Sequence, residues 1–151
     1  MTKTRLAKPR DAKALSEMNW QFNKVEMKAS AISAKLRKDK ELVAVVLDAD
    51  VPVGFACAQV YDSMCYPKRH AEHTELYVKP SHRRKGLAID LIEYLEKQLI
   101  QRTVGHIHIL TGIRNKPAQE LYERQGYKYN KEFHEVLYEK DIKYGKKQKA
   151  M

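Results

Sequence analysis

Residues 73–88 read HTELYVKPSHRRKGLA, a strand-like run that ends at Lys79-Pro80 and is followed by a basic turn. A helix is predicted after the turn, because leucines recur every four residues from Leu87 to Leu99. The first turn of a helix leaves backbone N–H groups unpaired, and with the helix dipole they form an anion site suited to phosphate. The turn adds three cations at Arg83–Lys85, and Gly86 lets the backbone approach a ligand closely. The pattern indicates a phosphate cradle; the alternative is a basic loop that only caps a helix.

The segments around this turn predict a single mixed α/β domain. The apolar runs 42–47 and 51–60 predict an antiparallel hairpin, and strand 73–78, helix 86–101 and strand 106–110 predict a βαβ crossover with parallel strands. The other predicted elements are helices over 10–21 (capped by Asp11), 29–38 and 117–125, and one or two final strands over 127–138. The expected fold class is α/β with a mixed sheet, in the order β-α-α-β-β-β-α-β-α-β. We expect one domain over 1–142, followed by a basic tail over 143–151.

Composition narrows the class of protein. The chain has 151 residues, of which 43% are hydrophobic and 32% charged, which is typical of one globular domain. Cys57 and Cys65 lack the spacing of a zinc site, so we expect two reduced thiols and no metal. No apolar run approaches the roughly 20 residues of a membrane span, and the first residues lack the apolar core of a signal peptide. A cytoplasmic protein that does not enter a membrane is therefore expected.

The charge of the chain is strongly positive, with 29 Lys and Arg against 19 Asp and Glu and a formal net charge of +10. Such an excess suits a nucleic acid, a membrane surface or a polyanionic small ligand. A nucleic-acid-binding domain would also need aromatic side chains beside its basic ones for base stacking, and only Tyr66 near Lys68 and Arg69 fits that role. It would leave the basic turn directly before Gly86 unexplained, so nucleic acid is the less favoured partner.

Two segments of the chain resemble the GNAT superfamily of acyl-CoA N-acyltransferases. Residues 83–88, Arg-Arg-Lys-Gly-Leu-Ala, match its motif of Gln or Arg, two residues, Gly, one residue, then Gly or Ala. Residues 115–127, NKPAQELYERQGY, are similar to its second motif, Asn-x-x-Ala-x-x-Leu-Tyr-x-x-x-Gly-[Phe/Tyr]. One helix and one strand separate the two segments, as in the family, and the predicted order of elements agrees over nearly the whole chain.

The resemblance implies acetyl-CoA as co-substrate and transfer of its acetyl group to an amine. It implies that backbone groups of Leu76, Tyr77 and Val78 pair with the pantetheine arm. It places the pyrophosphate on the turn formed by Arg83, Arg84, Lys85, Gly86, Leu87 and Ala88. The second motif would contact the cofactor through Ala118 and through the Asn115 side chain, and Tyr122 would act as general acid toward the leaving thiolate. From spacing alone, packing of the Tyr122 ring in the core is the alternative.

Glu72 and Glu75 are the candidates to accept a proton from the attacking amine. In a regular strand Glu72 would share a face with Thr74, Leu76 and Val78, and Glu75 would share the other face with His73 and Tyr77. Counted back from Gly86, Glu72 falls where many members of the family carry a base-like glutamate. Glu72 is therefore favoured over Glu75, and the remaining alternative is that water or no dedicated base does the work. A strand bulge would exchange the faces.

The acceptor side of the site is predicted only in outline. Trp20, Phe22 and Glu26 are candidates to line an acceptor pocket, together with the region around Phe133. The resemblance implies a primary amine of a small molecule or peptide as acceptor, and a homodimer is common among relatives. A further alternative is an acyl-CoA sensor with the same fold and no turnover.

Overall fold

The computed structural model describes residues 1–132 and 136–145. Its strands are β1 (Thr2–Leu6), β2 (Glu41–Asp48), β3 (Val51–Tyr61), β4 (Arg69–Val78) and β5 (Val104–Ile109). Its helices are α1 (Ala12–Asn23), α2 (Ala29–Arg37), α3 (Leu87–Gln101) and α4 (Lys116–Arg124). Short 3₁₀ turns at Pro9–Asp11 and Pro80–His82 precede α1 and α3.

The five strands form one mixed sheet in the order β1-β2-β3-β4-β5. The pairs β1–β2, β2–β3 and β3–β4 are antiparallel, which confirms the predicted hairpin. The pair β4–β5 is parallel, as the predicted crossover through α3 requires. The α/β class and the mixed sheet are therefore confirmed.

The sheet is covered on both faces, and each face has its own apolar core. On one face α3 buries Leu87, Leu91, Leu95 and Leu99 against small residues of β2 and β3. Burying each such leucine is worth roughly 1.5–3 kcal/mol, so the four-residue repeat holds α3 firmly in place. On the other face α1 buries Leu15 and Met18 against β2, β3 and β4, and α2 packs beside it.

Strand β4 contains a bulge at Thr74. The pairing with β3 shifts there, because Glu75 lies opposite Cys57 whereas His73 lies opposite Ala58. Ala71 and Leu76 both pack in the core under α3, although they are an odd number of residues apart. A bulge inserts one residue into a strand and reverses the alternation of side chains beyond it. The regular alternation predicted for β4 is therefore wrong at this point.

Two further expectations differ from the structure. Asp11 stands at the N-cap of α1, but its side chain makes no cap bond. Its carboxylate instead accepts hydrogen bonds from the Arg5 guanidinium at 2.7 and 3.0 Å and from the Lys8 N–H at 2.7 Å. The final strands predicted over 127–138 are not formed in residues 127–132 and 136–138. Residues 133–135, with Phe133, and 146–151 of the basic tail lie outside the described residues.

Candidate active site

The turn between β4 and α3 exposes main-chain donors. Arg84 and Gly86 have left-handed backbones with φ of 61° and 80°. Successive residues in such turns direct their N–H groups into a concave nest that binds anions. Gly86 is the N-cap of α3 and makes no side-chain cap bond, so no side chain at that position competes for the first N–H groups of the helix.

Two side chains tie this turn to the sheet. The Arg83 Nε donates to the Val78 carbonyl at 2.9 Å, and its guanidinium carbon lies 5.7 Å from the centre of the Tyr77 ring. His82 Nε2 lies 3.1 Å from Asp48 Oδ2 at the end of β2, and Ser81 Oγ lies 2.7 Å from His82 Nδ1. The turn is thus anchored to both β2 and β4. Sequence reasoning missed His82, because its partner Asp48 is remote in the chain.

The strands β4 and β5 separate beyond His73. The parallel pairing runs from Arg69 with Val104 to His73 with Ile109 and ends there. Past this point β4 still pairs with β3 through Val78, so only its β5 side is left open. Main-chain groups on that side of Glu75–Val78 face a gap, and such groups bind a ligand that runs alongside a strand.

A cleft of about 190 Å³ lies at this gap and is reached from both faces of the sheet. From the α1 face it is lined by Phe22 and Glu75, and from the α3 face by Ile92. Its other lining residues are Ala56, His73, Thr74, Leu76, Ile109, Leu110, Thr111, Asn115, Ala118 and Tyr122. The cleft thus brings together six residues that the sequence singled out: Phe22, Glu75, Leu76, Asn115, Ala118 and Tyr122.

Helix α4 carries three of these residues on one side of the cleft. Asn115 is its N-cap, and the Asn115 side-chain oxygen accepts from the Ala118 N–H at 3.3 Å. At the other end Gly126 has φ of 87°, the Gly126 N–H donates to Glu123 O, and the Tyr127 N–H donates to Tyr122 O. These two bonds form a Schellman motif, and the helix ends just before Gly126, as the predicted range 117–125 requires.

Tyr122 lies half-buried at the cleft. Burial raises the pKa of its phenol above the ordinary value, so the group holds its proton at neutral pH. Its ring packs edge-on against Tyr127, with the ring centres 6.2 Å apart. A phenol that stays protonated beside a cleft can donate a proton to a group that develops negative charge there.

The two candidate glutamates occupy different surroundings. The bulge places Glu72 and Glu75 on the same face as Tyr77, opposite to Leu76 and Val78. Glu75 lines the cleft, and its Oε2 lies 3.4 Å from Asn23 Nδ2 of α1. Glu72 does not line the cleft; its Oε2 lies 3.8 Å from His108 Nε2 on β5. The grouping of Glu72 with Leu76 and Val78 is wrong because of the bulge.

The other predicted positions are distributed around the cleft. The Tyr77 hydroxyl donates to Gln21 Oε1 at 2.9 Å on the α1 face, and the Phe22 ring lies 5.2 Å from the Tyr77 ring. Trp20 and Glu26 are exposed and do not line the cleft. Arg84 and Lys85 are exposed in the turn, Ala88 is half-buried, and Leu87 is buried in the core under α3.

His73, which sequence reasoning did not favour as a catalytic residue, lines the cleft and is 8% exposed. Burial lowers its pKa to about 4, so the imidazole is neutral at physiological pH. Its Nε2 lies 3.1 Å from the Tyr127 hydroxyl, which donates to Glu96 Oε1 at 2.6 Å. No signal within one sequence links these three positions, because they lie on β4, after α4 and on α3.

Two structural features are absent from the described part of the chain. Residues 1–132 and 136–145 contain no group of three His, Cys, Asp or Glu side chains placed to hold a metal ion. Within the same ranges, no helix combines the length and apolar character needed to cross a membrane.

Comparison with known proteins gives a family and a fold. The family model described as Acetyltransferase (GNAT) family matches residues 10–127. No curated protein sequence matches the chain. Among solved structures, an aminoglycoside acetyltransferase from an uncultured soil metagenomic sample, in complex with trehalose, is similar with a TM-score of 0.80 and 15% identity over 94% of this chain and 97% of that one.

Two more solved structures share this fold. The aminoglycoside N-acetyltransferase AAC(6')-Iy in complex with CoA has a TM-score of 0.78 and 17% identity, over 94% of this chain and 96% of that one. The ribosomal-protein-alanine N-acetyltransferase from Brucella melitensis biovar Abortus 2308 has a TM-score of 0.74 and 16% identity, over 91% of this chain and 99% of that one. At these identities the structural similarity shows a shared fold and nothing more.

Proposed function

The chain belongs to the acetyltransferase (GNAT) family, and from that premise we propose that it moves the acetyl group of acetyl-CoA directly to a primary amine of a small molecule or peptide. The observation that carries the proposal is the cleft at the gap between β4 and β5. It brings a carboxylate, Glu75, and a protonated phenol, Tyr122, to the same open strand edge. A base and an acid on either side of one site suit transfer between an amine and a thiol.

The residues present fit acetyl-CoA. The nest at Arg84 and Gly86, the uncapped start of α3 and the cations of the turn suit a pyrophosphate. The open edge of β4 at Leu76, Tyr77 and Val78 suits the amide groups of a pantetheine arm. Asn115 uses its side-chain oxygen for the cap, which leaves its Nδ2 group as a donor toward the cleft that it lines.

Acetyl-CoA, when bound, supplies an acetyl group activated as a thioester. In the proposal Glu75 accepts a proton from the amine, directly or through water, and so produces the neutral nucleophile. Main-chain N–H groups at the open edge of β4 stabilise negative charge on the acetyl oxygen. The amine nitrogen bonds to the acetyl carbon, the C–S bond breaks, and Tyr122 donates its proton to the sulfur of the leaving thiolate. The second proton lost by the nitrogen then restores the Tyr122 phenol, directly or through water. No covalent bond to the protein is needed, which agrees with burial raising the pKa of the Cys57 thiol well above its ordinary value.

We propose Glu75, and not Glu72, as the base, because only Glu75 lines the cleft. The two glutamates provide a matched pair of variants. We expect Glu75→Gln to lower kcat/KM at least about tenfold, because a positioned base contributes about 10²–10⁴-fold and water replaces part of it. The loss should be largest at low pH, where the amine is hardest to deprotonate. Glu72→Gln, which removes an equal charge three residues away, should leave kcat/KM within about twofold. A silent Glu75→Gln with a damaged Glu72→Gln would return the base to Glu72.

The function itself is tested by a panel of primary amines with acetyl-CoA, read by release of free thiol. The panel should span aminoglycosides, polyamines, amino acids and peptides with free N-termini or lysines. Amine-dependent thiol release is the expected result. CoA binding without thiol release on any amine would instead indicate an acyl-CoA sensor.

We place the reaction in the cytoplasm, since the buried Cys57 and the exposed Cys65 are both free thiols.

A further inference from the structure

The hydroxyl of Tyr127 is the centre of a hydrogen-bond network next to the cleft. It donates to Glu96 Oε1 at 2.6 Å and lies 3.1 Å from His73 Nε2. A phenol has one proton, and the 2.6 Å bond to the carboxylate uses it. The neutral imidazole must therefore carry its proton on Nε2 and donate it to the Tyr127 oxygen. This arrangement fixes both the tautomer of His73 and the direction of the Tyr127 hydroxyl.

The network connects the three elements that carry the proposed cofactor site. His73 belongs to β4, whose open edge follows it directly, and Glu96 belongs to α3, whose N-terminus faces the basic turn. Tyr127 follows α4, and its N–H donates to the carbonyl of Tyr122 at 3.0 Å. The Tyr127 ring also packs edge-on against the Tyr122 ring. Tyr127 therefore contacts Tyr122 through both its main chain and its side chain.

Among the described residues, the side-chain hydrogen bonds of α4 are local: Gln119 Nε2 donates to the carbonyls of Gly112 and Ile113 just before the helix. None of its residues is buried, in contrast to α3, which buries five. A short surface helix with no buried residue has little packing energy to fix its position. The hydrogen bonds of the Tyr127 hydroxyl are made to elements that are packed in the core. They can therefore transmit the rigidity of the sheet and α3 to the end of α4.

We propose that Tyr127 is a positioning residue for Tyr122, and that His73 and Glu96 act through its hydroxyl to hold the Tyr122 phenol at the cleft. The inference rests on the proposed function, in which Tyr122 is the general acid. A displacement of about 1 Å in a reacting group can cost about 10²-fold in rate. Loss of one anchoring hydroxyl, with the ring retained, should cost less than that.

The first test is Tyr127→Phe in the panel assay. We expect kcat to fall about tenfold with KM for acetyl-CoA within about twofold, because the pyrophosphate turn and the β4 edge are untouched. Tyr129→Phe removes the same hydroxyl from a residue that is 68% exposed and should leave both parameters unchanged. In a Tyr122→Phe background, Tyr127→Phe should have no further effect, since residues that act as one unit are not additive. Full kcat in Tyr127→Phe, or an additive double variant, overturns the inference.

The second test uses Glu96, so that the conclusion does not depend on one variant. Glu96→Gln keeps an oxygen acceptor for the phenol and should retain most of kcat, whereas Glu96→Ala removes the acceptor and should lower kcat as Tyr127→Phe does. Equal loss in both Glu96 variants would show that the charge of Glu96, and not its bond to Tyr127, matters, and would overturn the inference. A wild-type protein that binds CoA and acetylates no amine overturns the proposed function instead.

The third test is independent of turnover. Nitrogen-detected NMR of the His73 imidazole should show the neutral Nε2–H tautomer at pH 7 in the wild-type protein. In Tyr127→Phe the Nε2–H group loses its acceptor, so the population should shift toward the Nδ1–H tautomer. A wild-type imidazole protonated at Nδ1 would exclude the network, whatever the protein does with acetyl-CoA.

Discussion

Replacement of Gly86 by aspartate should weaken CoA binding at least about 100-fold. The new carboxylate would stand at the N-terminus of α3, in the nest that we assign to the pyrophosphate. Each hydrogen bond to a charged group is worth about 1.5–3 kcal/mol, and loss of two of them corresponds to about 100-fold or more. Titration calorimetry with CoA measures the effect, and the rise in Tm on addition of CoA should disappear in the variant.

The structure provides two controls for this substitution. A side-chain carbon added at Gly86 meets nothing within 4 Å, so Gly86→Asp should remain folded despite the positive φ. Gly126 has a similar φ of 87° and is equally open. The Tm of Gly126→Asp therefore measures how much an aspartate at positive φ destabilises the protein away from the basic turn. Gly86→Asn adds nearly the same volume without a charge. A folded Gly86→Asp protein with unchanged CoA affinity would show that the pyrophosphate lies elsewhere.

Removal of the Tyr122 hydroxyl in Tyr122→Phe should lower kcat by about 10²-fold. A positioned general acid contributes about 10²–10⁴-fold, and a thiolate leaves moderately well unaided, so the lower end of the range applies. KM for acetyl-CoA should change little, because the interaction grows only as charge develops on the sulfur. Steady-state kinetics on the amine identified by the panel provide the measurement.

A pair of variants at Tyr122 separates catalysis from packing. Tyr122→Phe keeps the ring that packs against Tyr127, so its Tm should stay close to that of the wild type. Tyr122→Ala removes the ring and should lower both Tm and kcat. Tyr138→Phe, at a site that is 89% exposed, controls for loss of a tyrosine hydroxyl elsewhere. Full turnover in Tyr122→Phe with a defect only in Tyr122→Ala would leave Tyr122 as a packing residue.

The parts of the fold that could be predicted are those with local causes. The leucine repeat of α3 and the glycine at the end of α4 each determine an element within a few residues of themselves. The basic turn is similarly defined by adjacent residues, so its position at a helix N-terminus was visible in the sequence. The cleft residues Asn115, Ala118 and Tyr122 were expected from the resemblance of residues 115–127 to the second family motif, and they stay together because that motif forms one short helix and its N-cap.

The parts that could not be predicted depend on partners remote in the chain. The bulge at Thr74 is defined by how β4 pairs with β3. Residues 69–78 alone therefore do not show where the extra residue lies. The same reason applies to residues 127–132 and 136–138, where no predicted strand is formed, because a strand needs hydrogen bonds from a partner strand that a local pattern does not reveal. The contact of Glu96 could not be predicted from the sequence of α3, because its partner Tyr127 lies in another part of the chain.

The separation of β4 from β5 affects how this protein can change over evolutionary time. Main-chain N–H and C=O groups are present whatever side chain a residue carries, and only proline removes a donor. A recognition surface made of such groups tolerates mutational drift as long as the strand keeps its path. The solved structures compared above share the fold at 15–17% identity. Side chains have no such protection, so we expect substitutions on the acceptor side to change specificity more readily than substitutions along the open edge of β4.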